Sequence, residues 1–166
     1  DEHTGNFYET KAYLENNCTN ADSGDCTAGA GYFLNKYFKV VKRNCASGTN
    51  ACAAASYKSI GGANAGILAG DYCIQTTNGA AICMKRNTEN NKVFIDLNID
   101  VNGQADPNIT GRDVYVMQVA SDGSITDISS DEDDCNAPDD NSPIIDLAKG
   151  CLTKVMNAGW KIEDDE

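Results

Sequence analysis

Nine consecutive residues, Val93 to Val101, alternate without a slip. Val93, Ile95, Leu97, Ile99 and Val101 are apolar, and Phe94, Asp96, Asn98 and Asp100 fall between them. A period of two places alternate side chains on opposite sides of a β-strand, so this segment predicts a strand with one buried face. It stops at Asn102-Gly103, a strong turn dipeptide. Asp106-Pro107-Asn108 and Gly111-Arg112-Asp113 follow as loop chemistry, and Val114 to Val119 reads as a second strand. A strand, a polar loop and a returning strand thus form the frame to which the rest of the chain must be fitted.

Upstream of that frame the pattern is helical. Asn6 and Glu9 form a capping pair for a helix from about Phe7 to Asn17, with Phe7, Leu14 and Cys18 along one stripe. A second helix is predicted over Tyr32–Asn44, with Phe33, Tyr37, Val40 and Val41 inward and Lys36, Lys39, Lys42 and Arg43 mostly away from that face. Cys45 to Ala65 is small and polar and reads as a surface loop. Ile67–Thr77 and Ala80–Arg86 read as strands around Thr77-Asn78-Gly79, and Arg86–Asn91 reads as a turn. Ser121-Asp122-Gly123 turns the chain into Ser124–Ile128, and the acidic stretch Ser129–Ser142 must be a loop. A last helix over Asp146–Asn157 would be weakened by Gly150 and ended by Gly159, with Trp160–Ile162 an edge strand or packed tail. Helices before strands, with a short helix at the end, give one α+β domain over residues 1–166.

Eight cysteines occur as Cys18, Cys26, Cys45, Cys52, Cys73, Cys83, Cys135 and Cys151. With no CxxC and a lone histidine, His3, zinc is poorly supported and disulfides are the better reading. Their clustering favours local closure as 18–26, 45–52, 73–83 and 135–151, each bridge contributing ~2–4 kcal/mol. Cys73 faces Cys83 only if the turn between them is a three-residue loop with Gly79 in the left-handed conformation. An oxidising compartment follows, either the periplasm or the cell exterior. The net charge of -12 argues against nucleic acid and anionic lipid as partners. No stretch of about 18 apolar residues is present, and the opening Asp1-Glu2-His3-Thr4 does not read as a signal peptide.

The order Asp100-Val-Asn-Gly, Pro107-Asn108, Gly111-Arg112-Asp113 resembles the DVNG…PN…GRD signature of type IV pilin-like proteins, which include the pseudopilins of type II secretion. Gly159-Trp160-Lys161-Ile162 after a cysteine-bearing helix is similar to the end of that family. Lys36 to Lys42 with Cys45 is similar to its first helical region. The resemblance touches the beginning, middle and end of the chain. It implies a pilin-like soluble head, anchored in the membrane before assembly by an apolar helix outside this sequence. The partners it implies are other pilin-like subunits of a filament, with function by assembly and protein transport. The alternative is a secreted, disulfide-rich binding or cell-adhesion module, with calcium as its cofactor.

Calcium enters through Asn98, Asp100, Asn102 and Asp106, whose oxygens alternate before a glycine turn as in the first half of a calcium loop. Strand side chains on one face stand ~6.6 Å apart, so only residues past the bend, such as Asn102 and Asp106, could converge on one ion. The same pattern is also a turn held by Asx hydrogen bonds. Some pseudopilin heads bind calcium, which the resemblance carries over as an expectation. Asp131 to Asp134 form a second acidic candidate. Lys36, Lys39, Lys42 and Arg43 are either dipole partners on a solvated helix face or a contact for an acidic neighbouring subunit. An enzyme is not expected, because a nucleophile needs a nearby base and the sequence offers neither a histidine outside its first residues nor a catalytic motif. Asn17-Cys18-Thr19 and Asn108-Ile109-Thr110 match the glycosylation sequon, a short and common pattern.

Overall fold

The computed structural model describes residues 11–18, 24–45, 51–136 and 143–161. The alternating segment is strand β6 (Lys92–Asp100). It lies inside an antiparallel six-stranded sheet with β1 (Val40–Arg43), β4 (Tyr72–Thr76), β5 (Ala81–Glu89), β7 (Val114–Val119) and β8 (Ile125–Thr126), in the order β1-β4-β5-β6-β7-β8. A small hairpin, β2 (Tyr57–Lys58) and β3 (Asn64–Ala65), stands apart. The helices are α1 (Gly29–Tyr37), α2 (Ile144–Leu147) and α3 (Cys151–Asn157), so the α+β class holds.

Both faces of β6 are covered. Ile95 joins Tyr72, Ile74, Ile82 and Met84 in a cluster closed by Tyr13 and by Ala30 and Leu34 of α1, with Leu97 and Ile99 packed against it. The alternation assigns burial to one face only, and the opposite face is buried as well. Asp96, Asn98 and Asp100 lie there, and all three are buried. A second cluster forms there, in which the sheet's own Cys73, Cys83 and Val114 are packed with Cys45, Cys52, Tyr57, Leu68, Ile144 and Leu147 from outside it. Of the stretch expected to be a surface loop, residues 46–50 lie outside the described residues, and Cys45, Cys52, Ala53, Tyr57 and Ala65 are core residues.

The hairpins show how turn residues set register. Cys73 pairs with Cys83, Thr76 N–H donates to Ala80 O at 2.9 Å, and Gly79 has φ +95, the three-residue loop that the cysteine spacing predicts. Between β5 and β6 the turn is shorter than expected. Glu89 pairs with Lys92, leaving only Asn90 and Asn91, both at positive φ as a two-residue mirror-image turn requires. All four disulfides join the expected neighbours, Cys18–Cys26, Cys45–Cys52, Cys73–Cys83 and Cys135–Cys151.

The helices differ more. Asn6, Phe7 and Glu9 lie outside the described residues, Lys11–Tyr13 is a single 3-10 turn, and Leu14–Asn17 is not helical. Asn16 and Asn17 instead cap α1. Asn17 Oδ1 accepts from the N–H groups of Thr27 (2.8 Å) and Ala28 (2.9 Å), and Asn16 Oδ1 accepts from Gly31 N–H at 3.0 Å. The helix expected over Tyr32–Asn44 ends at Tyr37, because Phe38 turns extended and Val40–Arg43 is taken up as β1 beside β4. Two adjacent β-branched residues fit a strand better than a helix. The Asp146–Asn157 helix is broken into α2 and α3 at Gly150, which has φ +76 and whose missing Cβ makes room for the Asp131 carbonyl. Asp127 then receives Gly150 N–H and Thr153 N–H, both at 2.9 Å, and serves as the cap of α3. Gly159 ends α3 as expected: its N–H reaches Met156 O, and Trp160 N–H reaches Val155 O at 2.8 Å, a Schellman ending. Trp160 is neither edge strand nor packed tail, being 70% exposed.

Candidate functional site

The segment between β6 and β7 is a loop held by many hydrogen bonds, and Asp100 is its anchor. As the last residue of β6 it points into the buried polar layer and is fully buried. One carboxylate oxygen accepts from the Tyr57 hydroxyl at 2.5 Å. The other accepts from Asn102 N–H (3.2 Å) and Gly103 N–H (2.8 Å), which is an Asx turn. Burial pushes the Asp100 carboxyl up, opposed by these three hydrogen bonds and reinforced by Asp113. Burial and the Asp100 bond likewise push the Tyr57 phenol up, and Tyr57 also accepts Ala54 N–H at 2.9 Å.

The loop closes on itself and on the small hairpin. Val101 N–H donates to Asp113 O at 2.9 Å, and Asp113 Oδ2 accepts from Ile109 N–H at 3.0 Å. Lys58 N–H reaches Asn108 O, and Thr110 N–H reaches Lys58 O, so the loop adds a parallel bridge to β2. The Asp106–Pro107 peptide is cis, and Asn108 has φ +57. Gly111, at φ +79, lies where a Cβ would meet both sulfurs of Cys135–Cys151 at 2.9 Å. Asp100, Gly103, Asn108, Gly111 and Asp113 therefore each have a place in one buckle that joins β6, β7, the β2–β3 hairpin and a disulfide.

The four candidate calcium ligands do not form one set of oxygens. Asn98 donates its amide to Ala69 O at 2.8 Å, away from the bend, and both Asp100 oxygens already accept donors. Asn102 and Asp106 do meet, through Asn102 Nδ2 and Asp106 O at 3.3 Å. Asn108 joins them by donating to Asp106 Oδ1 at 2.9 Å. Among the described residues, the side-chain oxygens of Asn102, Asn108 and Thr110 are buried without a hydrogen-bond partner. No three Asp, Glu, His or Cys side chains among the described residues are disposed to hold a metal. The sequence points to no structural bond for Asn108, Asp113 or Tyr57, Asn108 counting there as a sequon acceptor. The first two stand in the quoted signature, whereas Tyr57 carries no local signal because it lies 43 residues from Asp100.

The basic residues are dispersed, because the helix expected to align them is not there. Lys36, on α1, donates to Tyr32 Oη at 2.6 Å and lies over the Tyr32 and Tyr37 rings, and Lys39 is exposed in the corner before β1. Lys42 and Arg43 alternate on β1. Lys42 reaches toward Ala51 O at 3.4 Å, while Arg43 packs beneath Gly24 and Asn35. The acidic candidate Asp131–Asp134 runs into a 3-10 turn, Glu132–Asn136, tied down by Cys135. Asp96, also buried, receives Asn87 Nδ2 and Gln118 Nε2, and burial pushes its carboxyl up against these two bonds. Of the sequon residues, Asn108 and Thr110 are buried and Asn17 is engaged with Thr27 and Ala28, while Thr19 lies outside the described residues. Comparison with protein-family models, with curated proteins and with solved structures finds no match to this chain.

Proposed function

We propose that this chain is the globular head of a type IV pilin-like or pseudopilin subunit, which acts by assembly into a filament rather than by catalysis. The observation that carries the reading is the β6–β7 buckle, in which the residues resembling the family signature, from Asp100 to Asp113, form one bonded unit. A helix laid on an antiparallel sheet is in keeping with it. So are four disulfides, which fit the oxidising cell exterior or periplasm. Among the described residues no helix is long and apolar enough to cross a membrane, so anchoring in this reading falls to an apolar helix encoded upstream. Sequencing the gene tests this. A leader followed by about 20 apolar residues supports the pilin, and a cleaved secretion signal alone supports the secreted adhesion module instead.

A second reading, calcium binding at the bend, is favoured by the buried, unpartnered carbonyl oxygens of Asn102 and Asn108 on either side of Asp106. The ligand set is then Asn102, Asp106 and Asn108, with Asn98 and Asp100 left to structural bonds. Millimolar calcium is expected to raise the melting temperature by mass action, with reversal by chelator and loss of the shift in Asp106→Ala. An unchanged melting temperature leaves a hydrogen-bonded turn.

A further inference from the structure

Trp160 is the sole tryptophan of the chain and, among the described residues, the most exposed large apolar side chain, at 70%. The Schellman ending of α3 holds its backbone at φ +63, so the ring is carried on an ordered turn rather than a loose end. Acidic residues lie at the same helix end. Asn157 Nδ2, one turn earlier, donates to Glu132 Oε2 at 2.7 Å and fixes the exposed Glu132 and Asp133 beside the same helix end. This is an aromatic knob with an acidic rim.

A complementary groove lies elsewhere. Tyr37, Phe38 and Lys39, at the corner between α1 and β1, face Asn78 and Ile82 of the β4–β5 hairpin across an open groove of about 400 Å³, enough for an indole ring. Tyr37 and Phe38 are 44% and 37% exposed, and Phe33 packs against both, with ring centroids at 5.0 and 6.4 Å. Lys36 and Lys39 give this groove a basic rim on a chain of net charge -12. Groove and knob occupy opposite ends of the sheet order, the groove at β1–β4 and the knob on α3, which packs by β7.

We infer that Trp160 of one copy docks into the Tyr37–Phe38 groove of the next, with Glu132 and Asp133 facing Lys36 and Lys39. The inference rests on the filament reading and gives it a contact. Knob and groove are different surfaces, so the contact is heterologous: each added copy leaves a fresh knob or groove open, the geometry of a growing chain. An indole over a basic rim also gains cation–π attraction, and the acid–base pairing offsets the repulsion between two acidic heads. Lys42 and Arg43 take no part, because β1 turns them to Ala51 and to Gly24.

Trp160 emission reports this contact directly. From about 10 μM to about 1 mM the emission is expected to shift to the blue and become shielded from acrylamide, as a weak association forms. Sedimentation should show it weakened at least about tenfold by Phe38→Ala or by added salt, and lost in Trp160→Ala. The double variants Lys36→Glu/Lys39→Glu and Glu132→Lys/Asp133→Lys should each be monomeric alone and associate when mixed. Unchanged emission at the highest concentration, or association that survives Trp160→Ala, overturns the docking. Filaments that assemble normally with Trp160→Ala also overturn it and leave the subunit reading standing. Trp160-dependent association of a protein that never enters a filament supports the docking and overturns the subunit reading.

Discussion

On one face of the sheet Ile74, Ile82, Met84 and Ile95 meet Leu34 of α1. On the other, Asp100 lies beneath Tyr57, and Asp96 and Asn98 are buried on the same face, which carries the Cys73–Cys83 bridge and has Cys45–Cys52 packed against it. The first face is closed by hydrophobic burial, which is non-directional and tolerant of small shifts. The second has an apolar cluster of its own, with Leu68, Val114, Ile144 and Leu147, and adds to it two buried crosslinks and hydrogen bonds to buried carboxylates, which are directional and costly to leave unmade. The motif-bearing loop grows out of the second face, where a fixed geometry is worth most.

That contrast can be broken most strongly at the cysteines. Removing one bridge of that face, Cys73→Ala/Cys83→Ala, whose sulfurs are fully buried, is expected to cost ~4 kcal/mol in urea unfolding through the lost crosslink and the cavity left behind. Cys18→Ala/Cys26→Ala, beside α1, should cost ~2.5 kcal/mol. Equal losses would erase the distinction between the faces.

Next in size are single residues. Asp100→Ala leaves the Tyr57 hydroxyl and two loop N–H groups without their acceptor, for an expected loss of ~3–4 kcal/mol. Leu34→Ala on the aliphatic face should cost ~3 kcal/mol through its cavity. The two should differ in kind: amide exchange in Asp100→Ala should rise locally from Asn102 to Asp113, whereas Leu34→Ala should loosen α1 against the sheet.

The smallest effect is that of pH. Burial raises both Asp96 and Asp100 above the ordinary value of 3.8, so the folded chain takes up these protons before the unfolded chain does. The resulting stabilisation is complete below the unfolded value and is lost as pH rises through the folded one. Stability should therefore increase from pH 7 toward about pH 4, and Asp100→Asn should flatten that slope. A slope of opposite sign would mean that the hydrogen bonds outweigh burial at these carboxylates.

What was legible in the sequence was local. The alternation in β6, the three-residue loop at Gly79, the helix stop at Gly159 and the four cysteine pairs each depend on residues close together in the chain. What was missed depends on distant partners. Val40–Arg43 continues a helical spacing on paper but becomes a strand because β4 offers an edge. Asp100 resembles a calcium ligand until Tyr57 reaches it from a segment that reads as surface loop. Gly150 is a mild defect by propensity, and a break once the Asp131 carbonyl occupies the space above it.

The proposed role of this domain in a filament is tested most directly on the filaments themselves. Filaments sheared from the surface of the source cells, or assembled by its secretion machinery, can be purified and their subunits identified by peptide mapping with disulfides intact. If the domain is a filament subunit, peptides of this chain, with Cys73 joined to Cys83, are expected in the filament fraction and attached to an apolar N-terminal helix. Finding the chain only as a free secreted protein, with no such helix and none in the filaments, would contradict it.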